Sequence, residues 1–426
     1  MESILLNDNK HWLDKHAYNT FVQREVLAKA LSFLEAKEIL AIIGARRVGK
    51  STLLKLMISE LLKQGVSANN IFFINLEKPS FIPYKEDASY LENIFDEYIK
   101  IAEPDLAKKV YFFIDEIQVF KHWEVFVKSR YENSNIKFII TGSNSSLLTS
   151  SYATLLTGRV IKLRVYSFSF TEFLYYKGID FSSKVQITNN KIAIQKAQDE
   201  YMKWGGYYSV ISNSNEDVKR ELLKNIAEDI ILKDIVPRYH IKNSGVIRDL
   251  FYYLVSNTTM MLNYSALAKK LGIDAKMIKE YIAYFEDNFL LSLLSKGHNK
   301  LSQSIRASKK VYINDNGFLN LGVNYERNRG ASLENLVFLE LQGKACRVYY
   351  LRENREIDFA CDETLIQVSY DINDKSTLQR EVSAFNEFNT KKIKKLLLIT
   401  KESNMTYQNI QIISYDKFVL QKNLYF

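Results

Sequence analysis

The chain has 426 residues, with 58 Lys+Arg against 49 Asp+Glu, a formal net charge of +9, and 47% apolar and 25% charged residues. This composition excludes disorder as the main state, and the length accommodates roughly two to four domains. The two cysteines, Cys346 and Cys361, exclude a disulfide scaffold and, without a His/Cys cluster, a structural zinc site; they fit a reducing compartment.

Residues Met1 to Lys10 lack a basic stretch followed by an apolar one. Apolar runs such as Ile39 to Ile43 and Val110 to Ile114 fall far short of the roughly 18 residues a membrane span needs. The expectation is a cytoplasmic protein with no membrane contact. The positive charge permits nucleic-acid binding without requiring it.

From Phe21 to Ala36 the apolar residues recur at helical spacing, followed by a short strand, Ile39 to Ile43. A helix follows from Lys50 to Gln64. Ile71 to Leu76, Val110 to Ile114 and Phe138 to Ile140 are further apolar runs with helical stretches between them, the pattern of a parallel sheet wound with helices. This first unit is expected to end near Gly178. Lys191 to Arg238 reads as helical, broken at Gly205-Gly206-Tyr207. Three helices then follow, Val246 to Ser256, Ser265 to Leu271 and Asp274 to Phe289, with helix-turn-helix spacing at Leu271-Gly272-Ile273-Asp274. Beyond Gly330 the order is a helix (Ser332 to Leu341), three strands (Arg347 to Leu351, Ile357 to Ala360, Leu365 to Ser369), a helix (Thr377 to Phe388) and strands at Lys395 to Thr400 and Ile410 to Ser414.

Gly44-Ala45-Arg46-Arg47-Val48-Gly49-Lys50-Ser51, with Thr52 next, matches G-x-x-x-x-G-K-[ST] between an apolar strand and a helix. Glycines at these positions let backbone N–H groups wrap phosphates, and the following helix N-terminus adds to the attraction. Lys50 is expected to reach the β- and γ-phosphates of ATP and Ser51 to ligate Mg²⁺. The strand Val110 to Ile114 ends in Asp115-Glu116, which places Asp115 to hold Mg²⁺ and Glu116 to orient or deprotonate the attacking water. Thr141-Gly142-Ser143-Asn144 ends the next strand at the same carboxyl edge. Ser143 is the candidate sensor of the γ-phosphate, with ordinary helix capping as the alternative. Arg159 is a candidate stabiliser of phosphoryl charge, in cis or from a neighbouring subunit; a surface or ion-paired arginine is the competing reading, and Arg238 has a weaker claim of the same kind.

Together with Leu156-Thr157-Gly158-Arg159, Ser167-Phe168-Ser169-Phe170-Thr171-Glu172-Phe173, Gly205-Gly206-Tyr207, Glu334-Asn335-Leu336-Val337 and Glu356-Ile357-Asp358-Phe359, these motifs give a resemblance that spans nearly the whole chain. It resembles the bacterial and archaeal AAA-type P-loop ATPases that carry a C-terminal domain of unknown function. The resemblance implies a α/β ATPase domain (1–180), a helical extension (181–244), a winged-helix-like domain (245–325) and a restriction-endonuclease-like domain (326–426). In nucleases of that fold an acid on the first helix, an Asp and a Glu-x-Lys bind metal and activate water. The matching positions here are Glu334, Asp358 and Gln367-Val368-Ser369. Gln367 removes a carboxylate and Ser369 a positive charge, so an inactive module retained for binding or assembly is expected.

DNA is a candidate partner through residues 245–310, as is a second copy of the chain or another protein. The second helix of the helix-turn-helix carries Lys276 and Lys279 but also Glu280, Glu286 and Asp287, a mixed face. Lys296, Lys300, Arg306, Lys309 and Lys310 follow with no intervening acid, which suits a basic wing against phosphates or, equally, a solvated basic loop. A small-molecule kinase is disfavoured, since Asp115-Glu116 suits water activation and no arginine-rich lid segment follows.

Overall fold

Five short strands rich in Ile, Phe and Val build the first sheet: β1 (Ile39–Ile43), β2 (Ile71–Asn75), β3 (Val110–Asp115), β4 (Ile136–Gly142) and β5 (Val160–Arg164). All pair in parallel, in the order β2-β3-β4-β1-β5. Every residue of β1, β3 and β4 is buried, as expected for strands covered by helices on both faces. The edge strand β5 escapes periodicity arguments because Lys162 and Arg164 interrupt its apolar residues and it is only partly buried. Insertion of β4 between β1 and β3 brings the carboxyl ends of these three strands side by side.

The computed structural model describes residues 1–19, 21–144, 153–297, 307–323, 328–343, 346–388, 390 and 392–421, without the side chains of 133, 153 and 154. Two compact units make up the chain, Met1–Tyr166 and Ser167–Phe426. In the first, the helix expected over Phe21 to Ala36 is shorter, Val26–Ser32. Arg24, just ahead of it, is buried and donates to the Val48 and Tyr166 carbonyls at 2.9 and 2.8 Å. The approach to the helix is thus spent on tethering the loop after β1.

The second unit begins with helices that include Phe170–Tyr176 and Lys191–Trp204. Ser169 and Glu172 form a reciprocal capping box at the first of these, which is the local reason for the Ser-Phe-Thr-Glu spacing. Gly205 adopts φ +70°, and a Cβ there would lie 1.8 Å from Asp315 Oδ1. Asp315 accepts hydrogen bonds from the Ser167 hydroxyl (2.5 Å) and the Gly206 and Gly317 N–H groups (3.0 and 2.8 Å). The Ser167 and Gly205-Gly206 landmarks therefore share one buried carboxylate and are architectural.

Helices Ser244–Ser256, Tyr264–Leu271 and Ala275–Asp287 follow, close to expectation, and then an antiparallel pair, β6 (Leu291–Leu294) and β7 (Lys310–Ile313). Gly272 takes the left-handed conformation that ends one helix, and the Asp274 carboxylate accepts from the Lys276 N–H to start the next.

Helix Arg329–Leu341 leads into a six-stranded mixed sheet of β8 (Val348–Arg352), β9 (Glu356–Cys361), β10 (Thr364–Val368), β11 (Lys395–Thr400), β12 (Met405–Tyr407) and β13 (Ile410–Ser414), ordered β12-β13-β11-β10-β9-β8. β8, β9 and β10 form an antiparallel meander, and helix Lys375–Phe388 crosses over to β11, parallel to β10. Ile357, Leu365, Phe385, Leu398 and Ile412 share its core.

Cys346 and Cys361 are joined by a single disulfide, at odds with the reducing compartment expected from so few cysteines. Cys361 ends β9, which pairs antiparallel with β8 from Val348, so the hairpin brings the two residues together. Such bonds persist under oxidising conditions, and the cysteine count no longer favours a reducing compartment. Among the described residues no helix is long and apolar enough to cross a membrane.

Candidate nucleotide site

The loop after β1 turns into helix Lys50–Lys63 through Gly49 at φ +95°, a conformation that favours glycine. Gly44 is required for a different reason: a Cβ there would lie 2.3 Å from the Val165 carbonyl oxygen. Lys50 is 4% exposed and donates to the carbonyls of Gly44 (3.1 Å) and Ala45 (3.0 Å) across the loop. Its ammonium also lies 3.4 Å from Glu116 Oε1. Arg46 pairs with Glu77 at 2.9 Å, Arg47 is exposed at φ +65°, Val48 is buried, and Thr52 is half-buried in the first helical turn.

Asp115 is fully buried at the end of β3. Thr141 at the end of β4 donates its hydroxyl proton to Asp115 Oδ1 at 2.6 Å, and Asn75 at the end of β2 donates to Oδ2 at 3.2 Å. The Ser51 hydroxyl is a further hydrogen-bond partner. Burial raises the Asp115 pKa and the Glu116 charge adds to this, while the Ser51 and Thr141 hydrogen bonds and Lys50 oppose it. Ser51 and Asp115 thus offer a hydroxyl and a carboxylate side by side, oxygen ligands of the type a hard dication takes, and they fit Mg²⁺.

Glu116 leaves the strand at φ +55°, its N–H donating to Thr141 Oγ1 at 2.8 Å. Thr141 therefore holds both acids in position. Burial alone would raise the Glu116 pKa, but Lys50, the Gln118 hydrogen bond and Arg46 outweigh it and bring it below the ordinary value. Gln118 Nε2 donates to Glu116 Oε2 at 2.6 Å and lies 3.3 Å from Ser143 Oγ. Ser143 and Asn144 are buried at the same edge. The roles of Thr141 as a bracket and Gln118 as a bridge are not visible in the sequence, although Gln118 lies two residues after Glu116.

Arg159 lies elsewhere. Its carbonyl accepts from the Ile39 N–H at 2.8 Å, at the start of β1, whereas the phosphate loop follows the end of β1. Five residues of strand separate these edges by roughly 15 Å. Its guanidinium pairs with Glu132 at 2.9 Å. An in-cis role at this site is thereby removed, because β5 runs parallel to β1 and starts at the opposite edge. Arg164, which belongs to no motif in the sequence, lies beside Ile43 at the loop's edge of β5. Arg238 belongs to the second unit, in Val236–Arg238.

Two family models match the chain, a AAA domain over residues 36–174 and a domain of unknown function, DUF8612, over residues 195–327. An uncharacterised protein of Haemophilus influenzae is 31% identical over 358 residues, covering 81% of this chain and 86% of that protein. The chain belongs to this AAA-domain family. Another member, an uncharacterised protein of Methanocaldococcus jannaschii, is 32% identical over 392 residues, covering 89% of this chain and 82% of its own length. Solved structures similar to this AAA-domain protein include the Walker-type ATPase paby2304 of Pyrococcus abyssi, at 13% identity, covering 71% of this chain and 96% of that one with a TM-score of 0.46. The ORC1 protein of Aeropyrum pernix in complex with DNA matches at 10% identity, covering 78% and 96%, with a TM-score of 0.31. The AAA-domain protein has the P-loop NTPase fold, a five-stranded parallel sheet with helices, and a separate sheet in its C-terminal part.

Of the positions that the nuclease resemblance picks out, Glu334 and Asp358 both meet the Lys310 ammonium, whereas Gln367 and Ser369 turn to other partners. Gln367 Nε2 donates to Glu381 at 2.8 Å, and the Ser369 hydroxyl donates to the Asp371 carbonyl at 2.8 Å. In the expected basic wing, Lys300 and Arg306 lie outside the described residues. Lys296 and Lys309 are half-buried, and Lys310 is buried among carboxylates, unavailable to phosphates. On helix Ala275–Asp287, Glu286 and Asp287 are folded inward, toward the Leu293 N–H (3.3 Å) and the Tyr239 hydroxyl (3.2 Å). Lys276, Lys279 and Glu280 remain exposed, a more basic face than the sequence alone gives.

Proposed function

We propose that the protein is a Mg²⁺-dependent ATPase whose nucleotide state is coupled to a DNA-reading C-terminal part. The observation that carries this reading is the convergence of Lys50, Ser51, Asp115, Glu116 and Ser143 at one sheet edge, with Thr141 bracing both acids. Backbone N–H groups from Gly44 to Thr52 cradle the phosphates, and Lys50 meets the β- and γ-oxygens. Ser51 and Asp115 would hold Mg²⁺, which when bound would supply positive charge against the phosphate oxygens. Glu116, kept ionised by its neighbours, accepts a hydrogen bond from the attacking water, and Ser143, tied to Glu116 through Gln118, senses the γ-phosphate. Arg159 of a neighbouring copy, or Arg238 in cis or from a neighbouring copy, is the candidate for further positive charge on the phosphoryl group.

Residues 245–325 make a winged-helix-like reader, with Lys276 and Lys279 facing DNA phosphates, and residues 326–426 a nuclease-like module that does not cleave. A cytoplasmic setting accords with an ATP-dependent, DNA-coupled role. Steady-state ATP hydrolysis with Mg²⁺, with and without double-stranded DNA at low and moderate salt, tests the coupling. Stimulation that weakens with salt supports it, and DNA-independent turnover refutes it.

A second reading, a slow or non-hydrolysing switch acting on protein partners, draws on Lys50 and Gln118, which both engage the Glu116 carboxylate and restrain it. Very slow turnover with tight nucleotide binding would favour it.

A further inference from the structure

Lys310 opens β7 in a stretch whose sequence reads as a basic loop, yet its side chain is 3% exposed. Its ammonium lies 2.7 Å from Glu334 Oε1, 2.8 Å from Glu356 Oε1 and 3.3 Å from Asp358 Oδ1. Glu334 comes from helix Arg329–Leu341, and Glu356 and Asp358 from β9. Two neighbours fix the acids further: the Tyr312 hydroxyl donates to Glu334 Oε1 at 2.7 Å, and Asp358 Oδ2 accepts from the Val368 N–H at 3.0 Å.

Three carboxylates gathered within reach of one point, largely out of water, need a cation. In metal-dependent hydrolases a divalent ion fills that need. Here an ammonium with three N–H donors meets three carboxylates, with separations typical of charge-assisted hydrogen bonds to Glu334 and Glu356 and a longer contact to Asp358. Gln367, at the position of a metal-binding acid, is committed elsewhere: its Oε1 accepts from the Asp358 N–H at 3.2 Å and its amide donates to Glu381.

We propose that Lys310 is the resident cation of a nuclease-like carboxylate cluster, its ammonium standing where a divalent metal would bind, so that wild-type protein holds no metal there. The comparison rests on the nuclease-like reading of the β8 to β11 sheet, but the test needs no nucleic acid and does not depend on ATP hydrolysis. Lys310, together with Arg352 at 3.4 Å from Glu356 Oε2, then offsets part of the cluster's negative charge from within the chain, and phosphodiester cleavage through metal-activated water is closed off at this position.

The test is Mn²⁺ binding to the nucleotide-free full chain, counted by electron paramagnetic resonance. Lys310→Met is expected to bind one Mn²⁺ per chain more than wild type, and Lys310→Met/Glu334→Gln to lose it again. Asp358→Asn in the otherwise wild-type chain is expected to leave the count unchanged. A folded Lys310→Met that gains no Mn²⁺, or a Mn²⁺ lost on Asp358→Asn alone, overturns the proposal. Should Lys310→Met not fold, ¹⁵N-lysine-labelled wild type decides: the Lys310 Nζ resonance is expected to stay sharp as Mn²⁺ is added, and its selective broadening overturns the proposal.

Discussion

The Lys50 ammonium and the Glu116 carboxylate lie 3.4 Å apart, one donated from the start of the helix after the phosphate loop and the other from the residue after β3. The cation expected to meet the γ-phosphate is thus also the counter-ion of the acid expected to orient water.

Lys50→Ala is therefore expected to weaken nucleotide binding sharply. Loss of a hydrogen-bonded charge at a buried site costs about 2–3 kcal/mol, roughly 30- to 150-fold in Kd. Titration calorimetry with ATP and Mg²⁺ measures this, and unchanged affinity would misplace the site.

The first unit should lose stability in mild acid through His11. This ring is fully buried, with Nε2 3.0 Å from the Ile71 carbonyl, and burial holds its pKa down to about 4. The unfolded chain takes up a proton below an ordinary pKa of about 6.5 while the folded one does not. Stability is thus complete above pH 6.5 and falls as pH drops toward 4, by about 3 kcal/mol in all. Denaturant titrations across this range check the slope, which His11→Gln should flatten.

Reduction should destabilise the second unit. The Cys346–Cys361 bond closes a loop with a sequence separation of 15 residues. On the chain-entropy account that is worth about 3 kcal/mol. Thermal unfolding with and without reductant tests this, and Cys346→Ser should leave reductant without further effect.

If the exposed face of helix Ala275–Asp287 meets DNA, Lys276→Ala should weaken binding similarly for unrelated sequences. It should also reduce the slope of log K against log salt by about 1. Fluorescence anisotropy over a salt series distinguishes this from a residue that reads bases, whose loss would change sequence preference.

Much of the first unit was legible in sequence because its central strands are continuous apolar runs and its loop motif fixes both glycines and Lys50. Periodicity could not deliver β5, whose charged residues mask an edge strand, or the early end of the helix at Ser32. Arg159 shows the limit of reading by chain order: following the Ser143 segment says nothing of which sheet edge a residue joins. Lys310 shows a second limit. A lysine beside Lys309 reads as part of a solvated basic run until β9 and the helix bearing Glu334 are brought against it.

Single-turnover ATP hydrolysis by wild type and Glu116→Gln, at saturating Mg²⁺ and with nucleotide binding measured in parallel, tests the central claim most directly. The account predicts near-wild-type ATP affinity in the variant and hydrolysis reduced by about 10²- to 10⁴-fold, the range for removal of a positioned general base. Hydrolysis at the wild-type rate in Glu116→Gln would contradict it.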